Sequence, residues 1–187
     1  MNLGGKVGGR GFCARLALFA LGSVALATPA EAGQKASRSA AQFTLPELRG
    51  VGTTQLAELR GKVVLLDFWA TWCEPCTKEL PELEKLSREF APLDVVVVGV
   101  SIDHERKNAL DLAASLKLTF KLLHDPEGKV AEAYDPPKMP SSFVIDRDSV
   151  VRFVNEGFTG PADMAKLRRQ LAQLTQQKPA APTPAPQ

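Results

Sequence analysis

Two apolar runs dominate the pattern. Residues 63–70 read Val-Val-Leu-Leu-Asp-Phe-Trp-Ala and residues 95–100 read Val-Val-Val-Val-Gly-Val, each of strand length with almost no polar alternation. That is the signature of parallel strands covered by helices on both faces. Between them Leu80, Leu83, Leu86 and Phe90 recur at helical spacing and predict an amphipathic helix over about 76–90. Pro81 falls inside it and predicts a kink. A second helix, with Asp103 as its N-cap, repeats Ala109, Leu112, Ala113 and Leu116, and Phe120, Leu122 and Leu123 form a short buried segment. After a turn at 125–128 come a short helix through Val130, Ala131 and Tyr134, then strands at 141–146 and 150–154 that read as a hairpin. A last helix over about 161–176 presents Met164, Leu167, Leu171 and Leu174 on one side. Ahead of all these, residues 43–45 and 52–56 alternate around Pro46, Arg49 and Gly50 and predict an N-terminal β-hairpin. The order predicts an α/β fold, a mixed central β-sheet flanked by helices on both faces.

The ends read differently. Lys6, Arg10 and Arg15 precede an apolar run at 16–27, and Ala30-Glu31-Ala32 supplies a small-residue cleavage site, so 1–32 is expected to be a signal peptide that exports the chain, into the periplasm of a bacterium. The alternative is an uncleaved segment anchoring the protein to the membrane and facing the same compartment, although the run is short for a span. Residues 33–41 are small and polar and are expected to form a flexible linker. Residues 42–176 make one domain, and 177–187 form a Pro/Ala-rich disordered tail. A hydrophobic content of 44% with 24% charged residues suits a single globular core. Removing 1–32 takes the net charge from +2 to zero, which argues against nucleic acid or an anionic membrane surface as partner.

Cleavage would also discard Cys13, leaving Cys73 and Cys76. The segment Trp72-Cys73-Glu74-Pro75-Cys76 sits where a strand hands over to a helix. There the helix dipole and free N–H groups stabilise a thiolate, and Pro75 suits a first helical turn because it has no N–H to leave unpaired. In an oxidising compartment such a pair could be a structural disulfide, but two intervening residues close too small a loop to stabilise much. Glu74, between the sulfurs, should oppose thiolate formation and favour a reductant, or else be a solvated helix-start residue of little influence. Asp67 interrupts the apolar strand; buried, it would have a raised pKa and could accept the Cys76 proton, whereas at an edge it would reach solvent. Trp69 is read as core and Trp72 as an aromatic on the rim of a groove, while His104 and His124 are read as isolated surface or cap residues.

Phe-Trp-Ala-Thr-Trp-Cys-Glu-Pro-Cys-Thr-Lys-Glu-Leu-Pro at 68–81 resembles the active-site segment of the thioredoxin superfamily, and more narrowly its exported TlpA/ResA-like branch. The likeness extends over about 43–174. It implies a thioredoxin fold with an N-terminal hairpin. It also implies an exposed attacking Cys73 and a resolving Cys76, with Asp67 where thioredoxins commonly have Asp and many TlpA-like proteins have Asn. Met139-Pro140-Ser141-Ser142-Phe143 is similar to the family's cis-proline motif, in which the backbone of the preceding residue, here Met139, pairs with extended substrate. Trp72, Pro75, Met139 and Pro140 are then the substrate-facing set. Pro136-Pro137-Lys138 departs from the usual less rigid lead, which leaves substrate preference open. The implied activity is reduction of disulfides in exported client proteins, such as apocytochrome c or copper-site cysteines, with electrons from a membrane thiol-transfer protein. No nicotinamide or flavin motif is present and no cofactor is expected, so electrons must come from a partner. Two other readings stand beside it. One is a copper metallochaperone, although copper carriers on this fold usually space their cysteines by three. The other is a thiol peroxidase, whose Pro-x-x-x-Thr-x-x-Cys would need Thr at Ala70 and Pro at Leu66.

Overall fold

The computed structural model describes residues 34–177. The signal segment expected over 1–32 and the tail beyond Gln177 lie outside those residues. Eight strands and four helices follow in the order β1 (Gln34–Ser39), β2 (Thr44–Pro46), β3 (Thr53–Gln55), β4 (Val63–Trp69), α1 (Glu74–Phe90), β5 (Val95–Ser101), α2 (Arg106–Ser115), β6 (Lys121–His124), α3 (Lys129–Tyr134), β7 (Ser141–Ile145), β8 (Val150–Glu156) and α4 (Pro161–Thr175). Six strands form one mixed sheet in the order β1-β8-β7-β4-β5-β6, and β2–β3 make the expected separate hairpin. β4, β5 and β6 run parallel, while β7 lies antiparallel to β4 and β8 antiparallel to β7.

The apolar runs split between two cores because strand residues alternate faces. Val63, Leu65 and Trp69 join Leu80, Leu83 and Leu86 of α1, Ala109 and Ala113 of α2, and Met164, Leu167 and Leu171 of α4 on one face. Val64, Leu66 and Phe68 face the other way, onto Leu45, Leu56, Tyr134 and Phe143. Each fully buried side chain of this kind contributes about 1.5–3 kcal/mol. Trp69, fully buried as expected, lies across β5 at Gly99, where an added Cβ would sit 3.0 Å from its indole Nε1 and 2.9 Å from Leu122 Cδ2.

Three expectations need correction here. The linker expected over 33–41 contains β1, which pairs with β8 from Gln34↔Val154 to Ser39↔Val150. Arg38 Nη2 donates to the Tyr134 carbonyl at 2.6 Å and Tyr134 Oη to the Ala41 carbonyl at 3.0 Å, fastening both the strand and the residues just past its end. Sheet pairing is a backbone property, and this strand's mostly polar residues, with no apolar alternation, carry no sign of it. α2 is not capped by Asp103; its N-cap is Glu105, without a side-chain bond. α1 begins at Glu74, two residues earlier than expected, and runs through Pro81 as one 17-residue helix. No helix of the described residues is long and apolar enough to cross a membrane.

Gly99→Ala should lower stability by about 1–3 kcal/mol in chemical denaturation, since the new methyl must displace Trp69, Phe120 or Leu122. An unchanged midpoint would contradict this close approach.

Candidate active site

β4 ends at Trp69, and the chain turns so that the Cys73 N–H donates to the Ala70 carbonyl at 3.1 Å. Cys73 is the N-cap of α1: its Sγ accepts the Cys76 N–H at 3.3 Å, and Pro75 occupies the first turn. Cys73 and Cys76 are joined as a disulfide with Cα atoms 5.3 Å apart. The sulfurs thus sit where α1 directs free N–H groups and the positive end of its dipole, the surroundings that stabilise a thiolate. The expected exposure of Cys73 is corrected: it is only 5% exposed, against 1% for Cys76. Cys73 is still the more accessible of the two, but in the disulfide it is open only as a sliver.

The turn before the cysteines is held by a residue that the helical pattern alone places in a different role. Asp103, 4% exposed, accepts the Thr71 N–H with both oxygens at 3.1 Å and the Thr71 hydroxyl at 2.6 Å. The Ser101 hydroxyl donates to its second oxygen at 2.9 Å. The carboxylate therefore clamps the end of β4 to the end of β5 instead of capping a helix. His124, expected at the surface, is 6% exposed with Nε2 2.7 Å from the Asp103 carbonyl. His104 is exposed, with Nδ1 3.0 Å from the Pro126 carbonyl.

Two carboxyls without counterions are buried on the face of the sheet whose core includes both cysteines. Asp67 shares its face of β4 with Leu65 and Trp69, is 1% exposed, and has no hydrogen-bond partner of normal geometry on either oxygen. Burial pushes its carboxyl well above the ordinary range, and the nearby Glu79 carboxylate adds to the shift, while the cross-strand Ser142 hydroxyl opposes it in part. Glu79, on the inward side of α1, is 3% exposed with Oε2 unpartnered, and burial followed by repulsion from Asp163 pushes it up to about 8. Asp163 itself is held ionised by the Thr159 N–H and hydroxyl, both at 2.7 Å. Sequence reasoning passed over Glu79, although its position three residues after Cys76 and four before Leu83 puts it on the buried stripe.

Glu74 is exposed and engaged: Lys78 Nζ lies 2.7 Å from its Oε1, and that hydrogen bond holds its carboxyl below the usual value. Its charge toward the sulfurs is partly balanced. Trp72 is 67% exposed beside Cys73. Because Ser141 pairs with Phe68 across β4–β7, Pro140 lies at the same sheet edge as the cysteines, and the Met139–Pro140 peptide is cis. Pro140 is buried and accepts the Gly157 N–H at 2.7 Å. Met139 is half-buried, and among the described residues neither its N–H nor its carbonyl has a hydrogen-bond partner. No group of three or more His, Cys, Asp or Glu among the described residues could hold a metal ion.

Comparison with known proteins agrees with this geometry. The AhpC/TSA family model matches residues 36–154. The chain is 36% identical over 129 residues to the thioredoxin-like protein YneN of Bacillus subtilis, covering 68% of this chain and 75% of that protein. It is 30% identical over 128 residues to the thiol-disulfide oxidoreductase ResA of Geobacillus kaustophilus, covering 68% and 73%. Its fold is similar to a crystal structure from Chlorobium tepidum assigned as the thiol:disulfide interchange protein DsbE, with a TM-score of 0.71, 32% identity, and 75% of this chain and 97% of that one covered. The chain belongs to the AhpC/TSA family, in its TlpA/ResA-like thioredoxin branch, and is a thiol-disulfide oxidoreductase.

Proposed function

We propose that the chain works outside the cytoplasm as a reductant of disulfides in exported client proteins. The observation that carries this reading is the Cys73–Cys76 disulfide at the head of α1, beside an unpartnered Met139 main chain that an extended client segment can pair with. In the reduced protein the Cys73 thiolate attacks one client sulfur. The client disulfide breaks, and its second sulfur leaves and takes a proton. Cys76 then attacks Cys73 Sγ, expels the first client sulfur as a thiol, and closes the protein's own disulfide. Two electrons pass from dithiol to disulfide. Asp67, held protonated, can give its proton to a leaving sulfur and, once ionised by that step, take one from Cys76. Trp72 supplies apolar contact to the client, and Pro75 fixes the spacing of the two sulfurs.

The direction follows from charge. A strong oxidant stabilises its thiolate, whereas here the Glu74 carboxylate, only partly balanced by Lys78, lies between the sulfurs and disfavours a negative charge there. Export is supported by the charged, apolar and small-residue order of 1–32. The clients are haem-free cytochromes c or copper-site cysteines, whose thiols must be reduced before cofactor insertion, and a membrane thiol-transfer protein re-reduces the pair.

The buried acids make the reading measurable through pH. Glu79 keeps its proton in the folded chain up to about 8, whereas its ordinary value is 4.5. Between those values the unfolded chain binds fewer protons than the folded one, so stability falls as pH rises through that window. Glu79→Gln should remove that loss, leaving the variant more stable than wild type above pH 8 by roughly 2–4 kcal/mol and little changed near pH 5. Parallel stability curves would contradict the buried, uncompensated acid. The function itself is tested by trapping. A Cys76→Ser protein expressed in cells should accumulate mixed disulfides with exported cytochrome or copper-site proteins, released by reductant and missing from Cys73→Ser. Equal adducts in both variants would overturn the proposal.

A further inference from the structure

Lys138 lies at the edge of the sheet that carries the cysteines, yet the redox steps make no use of it. It is exposed, and among the described residues its ammonium makes no ion pair or hydrogen bond. Lys78, the cation on the first turns of α1, is by contrast already occupied by Glu74.

The position of Lys138 is built. Its carbonyl accepts the Ser141 hydroxyl at 2.6 Å, and Pro136 and Pro137 immediately before it restrict the backbone. Its side chain lies across Gly157, whose φ is +70° and where an added Cβ would sit only 2.8 Å from Lys138 Nζ. Gly157 in turn donates to the Pro140 carbonyl. The aliphatic stem is thus laid over a bare stretch of backbone, with its charged end in water next to the cis-proline loop. A client strand paired with the Met139 main chain would pass close to this charge, and residues two apart along that strand share a face.

We propose that Lys138 determines specificity, by selecting client segments that carry an aspartate or glutamate two residues from the reactive cysteine. This rests on the reading of the chain as a reductant of client disulfides. Glu74 does not oppose an acidic client strongly, because Lys78 balances it, so the unpaired Lys138 ammonium offers a client carboxylate a partner at this edge. An exposed pair of this kind changes recognition modestly and in a salt-dependent way.

The test uses the reduced full chain and three oxidised peptides that share one disulfide and differ only in carrying Asp, Asn or Lys two residues from the reactive cysteine. The bimolecular rate of protein oxidation is read for wild type, Lys138→Gln and Lys138→Glu, with uncharged 2-hydroxyethyl disulfide as a second substrate. Wild type should oxidise about three- to tenfold faster with the Asp peptide than with the Lys peptide at low ionic strength, and the ratio should shrink in salt. Lys138→Gln should level the ratio and Lys138→Glu should invert it, with 2-hydroxyethyl disulfide rates unchanged. An Asp-to-Lys ratio that stays the same in Lys138→Glu overturns the inference while leaving the oxidoreductase intact. Failure of wild type to reduce 2-hydroxyethyl disulfide would instead overturn the reading on which it rests.

Discussion

Everything about this site turns on a carboxyl buried without a partner. Asp67 occupies the middle of a strand whose other residues are all buried and apolar, on the face that supports α1 and its cysteines. An ionised group there would cost several kcal/mol, so the carboxyl stays protonated where a surface aspartate would be charged. Glu79 lies in a similar situation from the helix side; burial and repulsion from Asp163 raise it, and it in turn makes ionisation of Asp67 harder. A protein core would be more stable with an apolar residue at either position. What the two acids have in common is a carboxyl kept out of contact with water and held above its ordinary pKa, the property that the proposed proton exchange with the sulfurs would use.

The rest of the fold keeps this arrangement still. The parallel pairing of β4 with β5 brings Trp69 level with Ser101, so that Asp103 can clamp Thr71 and set the turn into Cys73. The antiparallel pairing of β4 with β7 brings Pro140 to the same edge. Glycine at 99 makes room for Trp69, and Glu84 on α1 accepts the Thr119 and Phe120 N–H groups, tying the helix to the start of β6. One edge of the sheet is therefore rigid on both sides of the disulfide, which suits a reaction that needs three sulfurs in line but little movement of the backbone.

How much of this was legible varies with how local each signal is. The uninterrupted runs at 63–70 and 95–100, the Cys-Glu-Pro-Cys segment and the polar break at Asp67 can be read from neighbouring residues alone, and the strands, α1 and the burial of Asp67 agree with that reading. β1 could not be read, because its hydrogen bonds go to β8 more than a hundred residues later and its side chains are mostly polar with no apolar alternation. Asp103 resembles an ordinary helix cap until β4 and β5 are placed side by side. The burial of His124 and of Glu79 likewise depends on which elements cover them, and neither residue type announces it.

The most direct test of this account is an NMR titration of the carboxyl carbons of Asp67 and Glu79 in the oxidised protein. Both should remain protonated well above the usual carboxylate range, with Glu79 titrating near pH 8 and Asp67 shifting when Glu79 is replaced by Gln. If Asp67 instead loses its proton near pH 4, as an aspartate in water does, it is not a protonated acid on the cysteines' face of the sheet and the account fails.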